Sequence, residues 1–593
     1  MSEMSQASIG SHINVIVAAD WDASKQVGGN GATSPWEPAA NGAAYPTGTE
    51  WYRIRGGGLV PYRFAISAEQ NLDANAYLQA ATDYAFQNYP AQRYAVILWD
   101  HGGSWSGGFG GDQQDGTAAG SGMTAAGAAS AIGNALLARG LTGPRPLEFL
   151  AFDTCLMACP EVIQPFSAMA KTYIACAEID FGAGWDYTAT LGHISANSTA
   201  AATAIAAQEV AFWNAHHASS ATDLVAKSHI AIDLTRWDAF ATAMGQLVAA
   251  IDASATMTAL DWGTRHFTTA PGYSFDAEQA RTQPNLRDIG QLLTKLGTLS
   301  SDLTVKARAD TAAAALTGMR LGLSQGTLRS INSQSGLHIE CAIASKYTAT
   351  PARLTSYATK AAAWNAASNW SDLLTLVQGA DDTTQPILTV SSSGGAVVTI
   401  DFSTANADIG EASVWLTRTN PDTTIDDFGL IAGDIITPGA YQFTWDLEVP
   451  TLSDGTTTTY ARAERVIIGD GIANSLFGFS CAYTVGSDTI DGFVVFGPND
   501  TYTALFIELD TSGGVNVHPL YPGGTITPRI DRYSGGPTPT PIAMAPLTVP
   551  TSRQLTIAMT AAPTGNYRLL VAGMDVWGNE ATVWTVPYAI TAR

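Results

Sequence analysis

No stretch of 18 apolar residues occurs in the 593-residue chain, so no segment has the length needed to cross a bilayer as a helix. Positive charge is scarce: 29 Lys and Arg stand against 52 Asp and Glu, a formal net charge of −23. That balance argues against nucleic-acid backbones and anionic membranes as partners and favours cationic peptides in a general way. Cysteine is sparse. The five (Cys155, Cys159, Cys176, Cys341 and Cys481) are odd in number and widely spread, which argues against a disulfide framework. No His-Glu-x-x-His zinc pattern is present. The start, Met1-Ser-Glu-Met-Ser-Gln-Ala-Ser8, has no basic n-region and no apolar h-region, so it does not read as a secretory signal. The expected location is cytoplasmic, or that of a secreted protein trimmed at its start.

What is present is a large apolar complement, 46% of residues, with 57 Gly and 27 Pro. A chain of this length exceeds one ordinary core, so two or three domains are expected. Residues 12–378 alternate short apolar runs with Ala-rich amphipathic stretches such as 71–87, 124–138 and 200–215, the pattern of βαβ units and a mainly parallel sheet flanked by helices. Residues 379–386 read as a linker. From 387 to 593 the texture is all-β, with short runs at 387–391, 396–402, 412–417, 440–447, 493–496 and 504–509 punctuated by Gly, Asp, Asn and Pro. Such spacing suggests a sandwich of one or two modules. The closing run from Tyr567 through Asn579 to Ile590 resembles the last hairpin of an immunoglobulin-like module. Its region carries Tyr441, Trp445, Tyr502, Trp577 and Trp584, candidate ligand platforms for which core packing is the default expectation.

Two segments carry the chemistry: Ala95-Val-Ile-Leu-Trp-Asp-His101-Gly-Gly103 and Leu147-Glu-Phe-Leu-Ala-Phe-Asp-Thr-Cys155. Each is an apolar run that stops on a reactive side chain, and each reads as a buried parallel strand. Open α/β sheets place ligand sites beyond the carboxyl ends of such strands. His101 then stands beside Cys155 as general base beside nucleophile, since a neutral-pH thiol needs activation by a neighbouring imidazole. Gly102 and the Cys155 N–H are the expected oxyanion donors. The run from Leu156 to Ile163 reads as a helix start whose N-terminus lowers the Cys155 pKa. Cys159, one turn on in that reading, is expected to be packing filler.

The two blocks Tyr89–Gly103 and Phe152-Asp-Thr-Cys-Leu-Met-Ala158 closely resemble the signature blocks of the clostripain family, cysteine peptidases of the caspase-like clan. The runs 13–20, 182–187, 229–236 and 335–340 fit the same domain, so the resemblance covers roughly residues 12–378. It implies a caspase-like α/β fold, His101 as base, Cys155 as nucleophile, Gly102 as oxyanion donor, and cleavage after Arg or Lys. Asp153 takes the position implied for the S1 carboxylate, with Glu178 and Asp180 as candidates to share that role and Trp185 and Tyr187 as pocket wall.

Members of the family often mature by cutting themselves between the His and Cys blocks. Here 102–138 contains no Lys or Arg, so Arg/Lys-directed cleavage within that stretch is not expected. No metal is required for the chemistry; Asp20, Asp22, Asp112 and Asp115 are loop carboxylates weighed for Ca2+ and read foremost as solvated acids. Rival readings are a catalytically silent peptide- or partner-binding domain and a thiol acyl transferase using the same dyad.

Overall fold

Runs of apolar residues near 95, 150 and 173 become three neighbouring strands of one sheet. The computed structural model describes residues 2–19, 49–59, 62–66, 70–111, 122–178, 180, 184–218, 227–257, 286–326, 334–341, 351–378, 387–393, 397–402, 409–435, 440–467, 475–496, 505–509, 515–518, 520–575 and 579–591. The chain divides into two compact units. One comprises Met1–Ser254, Asp288–Ile339 and Pro351–Leu373; the other comprises Ala255–Arg287, Glu340–Thr350 and Leu374–Arg593. The expected linker 379–386 lies outside the described residues.

In the first unit, β1 (Val15–Ala19), β2 (Glu50–Ile54) and β3 (Tyr62–Ile66) form a small antiparallel sheet. The main sheet holds β4 (Tyr94–Trp99), β5 (Leu147–Asp153), β6 (Ala170–Cys176), β7 (Ser228–Asp233) and β8 (Arg320–Gln325), in that order. β4, β5 and β6 are parallel, while β7 is antiparallel to both β6 and β8. All seven residues of β5 are buried, which is why its sequence is a continuous apolar run and not an alternating one.

Side chains of a strand alternate between faces. On one face Phe149 and Ala151 join a core with Ile174, Cys176, Trp185, Trp213 and Ala231, contributed in part by the helix Ala202–His216. On the other, Phe152 meets Phe109, Phe166 and Tyr173. Asp153 shares the parity of Phe149 and Ala151, so its carboxylate belongs to the Trp185–Trp213 face. The expected helices appear as Asn75–Asn88, Ala125–Ala138 and Ala202–His216. Thr124 caps the second by accepting from the Gly127 N–H.

The second unit corrects the expected immunoglobulin-like sandwich. Thirteen strands form one continuous sheet, and four of them close into a barrel. Around the ring, β9 (Ile425–Ile435) pairs parallel with β10 (Ala463–Ile467), β10 with β11 (Ser475–Val485), β11 with β12 (Thr525–Tyr533), and β12 with β9. A sandwich has two separate sheets facing one another; here β12 bonds to both flanks of the ring instead. Closure depends on Gly429, whose φ of +81° suits glycine and where a Cβ would collide with the Ala463 carbonyl. Of the aromatic candidates, Trp445 is core, its Nε1 donating to the Glu448 carbonyl. Trp584 is exposed under the Arg568 guanidinium, and the side chains of Tyr441, Tyr502 and Trp577 lie outside the described residues.

A carboxylate inside this unit ties the ring together. Asp426 is fully buried and accepts from Arg418 Nη2 and Arg532 Nε, both at 2.7 Å. Burial raises its pKa, but these two bonds outweigh burial and leave it below the ordinary carboxylate value. A carboxyl with a lowered folded pKa stabilises fully above its unfolded value, about 4, and the contribution fades as pH falls through the folded value. Asp426→Ala is therefore expected to cost the barrel about 3 kcal/mol at neutral pH, read as a shifted transition in urea unfolding of the full chain. The gap between variant and wild type should close in acid; a gap that persists there would contradict this account.

Candidate active site

Register fixes where the reactive residues stand. Trp99 of β4 pairs with Asp153 of β5, and His101 and Cys155 each follow their paired residue by two positions. Adjacent strands run about 4.8 Å apart, so both side chains emerge from one carboxyl edge of the sheet. β6 ends alongside at Cys176, and Glu178 and Asp180 follow at the same edge.

The loops after the strands interlock. The Gly110 N–H donates to the His101 carbonyl at 2.9 Å and the Gly103 N–H to the Gly108 carbonyl at 2.8 Å, folding the His loop back on itself. Gly102 lies against the Cys155 turn so closely that a Cβ would collide with the Cys155 carbonyl and the Thr154 hydroxyl. Among the described residues neither the Gly102 N–H nor the Cys155 N–H donates to another residue. His101 is exposed and Cys155 half-buried.

The segment after Cys155 corrects the expected helix start. Leu156 has φ +58°, and the helix begins only at Pro160, with Cys159 as N-cap in an extended conformation. Cys155 therefore sits in a turn and has no helix N-terminus beneath it. Its thiol is not lowered: burial pushes it up to about 11, opposed by the Asp180 N–H bond to Sγ at 3.3 Å and reinforced by the charges of Asp180 and Glu178.

Behind the nucleophile the structure gathers four of the five expected S1 residues. Tyr187 Oη donates to Asp153 Oδ2 at 2.8 Å, and the Trp185 N–H to the same oxygen at 3.3 Å. Trp213 Nε1 donates to Asp180 Oδ1 at 3.3 Å. Asp153 Oδ1 and Asp180 Oδ2 are buried with no hydrogen-bond partner. The two carboxyls interact directly; burial pushes both pKa values up, and the Asp153 charge drives Asp180 well above the usual range. Two carboxyls placed this way disfavour carrying both negative charges at once. Trp185 and Tyr187 are stacked and buried, so they hold Asp153 from behind instead of walling an open pocket. Glu178 is fully buried, and its carbonyl accepts from the Leu156 N–H at 3.0 Å.

Sequence reading missed a second polar cluster. Ser104 Oγ lies 3.0 Å from His338 Nε2 and 3.5 Å from Cys159 Sγ, and His338 Nδ1 is 3.0 Å from the Ala177 carbonyl. Ser104, Cys159 and His338 are all fully buried, and burial holds the Cys159 thiol well above its ordinary value. This cluster braces the His101 loop against the segments after β5 and β6. Among the described residues no group of three or more His, Cys, Asp or Glu is arranged to hold a metal. Asp20, Asp22, Asp112 and Asp115 lie outside the described residues.

The Cys155 thiol value predicts the alkylation profile of the free protein. Iodoacetamide reaction at Cys155 should keep rising beyond about pH 9, as the thiol ionises. A plateau below pH 7 would mean a preformed thiolate and contradict the burial argument.

A protein-family model, the clostripain family, matches residues 1–374. An inactive zymogen C11 protease from Parabacteroides distasonis is 16% identical, over 54% of this chain and 84% of that one, with a TM-score of 0.39. A secreted C11 cysteine protease from Bacteroides thetaiotaomicron, in complex with an irreversible peptide inhibitor, is 16% identical over 54% and 86%, with a TM-score of 0.39. A clostripain from Bacteroides thetaiotaomicron with a peptide inhibitor is 18% identical over 41% and 93%, with a TM-score of 0.29. No curated protein matches the chain.

Proposed function

The chain belongs to the clostripain family and is a cysteine endopeptidase, and from that premise we propose that His101 and Cys155 form its dyad and that Asp153 and Asp180 select Arg or Lys at P1. One observation carries the specificity: the buried Asp153 and the half-buried Asp180 beside the nucleophile each keep one buried oxygen without a partner. A guanidinium supplies donors in a fork that matches such acceptors, and an ammonium supplies the charge with less directional bonding.

In this reading the P1 cation supplies the donors and positive charge that the Asp153 and Asp180 oxygens lack. Its backbone carbonyl then lies at Cys155, with the Gly102 and Cys155 N–H groups receiving the developing oxyanion. His101 takes the thiol proton as Sγ attacks, and returns it to the leaving amine. A water then hydrolyses the thioester, with His101 again as base. The thiol is held protonated in the free protein, so proton transfer accompanies attack and does not precede it.

The buried Cys159 and His338 offer another Cys/His proximity, joined through Ser104. Zero exposure at both residues bars a peptide carbonyl from that thiol, which favours Cys155. Asp153, Asp180 and Glu178 all lie near Cys155, and the specificity reading follows the same choice.

Fluorogenic peptides differing only at P1 (Arg, Lys, Asp, Asn, Ala) provide the test. Arg and Lys turnover, absent in Cys155→Ala and reduced at least about 100-fold in Asp153→Asn, is expected. KM for Arg peptides should also fall as pH rises, because the raised carboxyl pair loses its proton on that side. Turnover confined to a neutral or acidic P1 would discard the basic subsite, and full activity in Cys155→Ala would discard the dyad.

A further inference from the structure

Beneath the S1 carboxylates lies a buried histidine that the mechanism above does not use. His229, on β7, has no solvent exposure. Its Nε2 is 2.9 Å from Glu209 Oε2, and its Nδ1 is 3.1 Å from Cys176 Sγ. Glu209, on the helix Ala202–His216, is itself 2% exposed, and its second oxygen has no partner. Nε2 faces the Glu209 carboxyl and Nδ1 meets the Cys176 thiol, a contact satisfied by a neutral ring accepting from S–H as well as by a cation donating to sulfur. Burial opposes that charge, but Glu209, Asp180 and Asp153 together raise the imidazole pKa.

The charge does not touch the S1 acids directly. The His229 ring lies flat on Trp213, with centroids 4.7 Å apart and planes at 15°. The same indole donates from Nε1 to Asp180 Oδ1. The Trp185 edge meets His229 at 6.1 Å, and the Trp185 N–H donates to Asp153. A cation on an indole face is attracted to the ring and makes its N–H a better donor. Lys227 places a cation 5.9 Å from the Trp213 centroid, and His217 packs tilted against the same indole, centroids 4.6 Å apart. Glu209, His229 and Trp213 thus form a continuous chain from the helix to Asp180, in which each member fixes the next.

We propose that His229 is a positioning residue of the S1 subsite: clamped between Glu209 and Cys176, it holds the Trp213 indole so that Asp180 is oriented and partly charge-balanced for a P1 guanidinium. This rests on the S1 reading above. The residue acts through Trp213 and touches neither substrate nor reacting atoms. Without it, two carboxyls and Glu209 share one buried space with less compensating charge, and Asp180 retains its proton more firmly against an incoming cation.

The test uses the full chain as wild type, His229→Gln, Trp213→Phe and the double variant. P1-Arg peptide kinetics are measured beside iodoacetamide alkylation of Cys155, which needs no S1 contact. KM for the Arg peptide is expected to rise about tenfold in each single variant, with kcat within about threefold and alkylation within about twofold. The double variant should be no worse than the poorer single one, because both break one chain. An unchanged KM in a folded His229→Gln overturns the proposal, as does an equal loss of kcat, KM and alkylation, which marks a purely structural residue. If His229→Gln does not fold, Trp213→Phe decides by the same criteria, since it keeps an aromatic ring and removes the donor to Asp180. A wild type inactive on Arg and Lys removes the S1 reading itself and this role with it, an outcome distinct from an active wild type with an indifferent His229.

Discussion

Parallel pairing of β4 with β5 is the constraint from which the site follows. With Trp99 opposite Asp153, the chain leaves both strands at the same edge, and His101 and Cys155, two residues on, emerge there together. A one-residue slip would reverse the face of every side chain on one strand and carry Asp153 away from Trp185 and Tyr187. Burial of all seven residues of β5 makes such a slip costly. The β6 strand repeats the device and brings the acids after Cys176 to the same edge.

Electrostatics at that edge run against a resting thiolate. Cys155 lies half-buried beside carboxylates, and no helix N-terminus compensates them. Asp180, one of the two acids whose charge adds to the burial penalty on the thiolate, is also one of the pair proposed to receive a P1 cation. In the proposed reading a basic P1 side chain also offsets that Asp180 charge.

Much of this was legible in the residues. His101 and Cys155 each end an apolar run with equal offsets. The strand before Cys155 is buried throughout as expected, whereas in the strand before His101 only Leu98 is buried and Trp99 is exposed. Asp153, Trp185 and Tyr187 come together in the structure, with Trp185 and Tyr187 bracing the acid from behind, and Asp180 lies beside them. The helix after Cys155 was misread despite a signal that argued against it. Pro160 disfavours helical geometry at Cys159 and suits a first helical position, so the helix had to begin after Cys159. Ser104–His338 and Glu209–His229 left almost no trace, because each pairs polar residues from segments far apart in sequence. His229 looked like the polar start of an apolar strand, and Glu209 like one acid in an Ala-rich helix. Barrel closure was hidden for a related reason: period-2 alternation reports which residues face inward, not that β12 bonds to both β9 and β11.

An arginyl acyloxymethyl ketone, reacted with the intact chain and located by peptide mapping, tests the central claim most directly. A single adduct on the Cys155 sulfur, formed slowly or not at all in Asp153→Asn, is the predicted result. An adduct on Cys159, or equal labelling of Cys155 by arginyl and alanyl reagents, would contradict it.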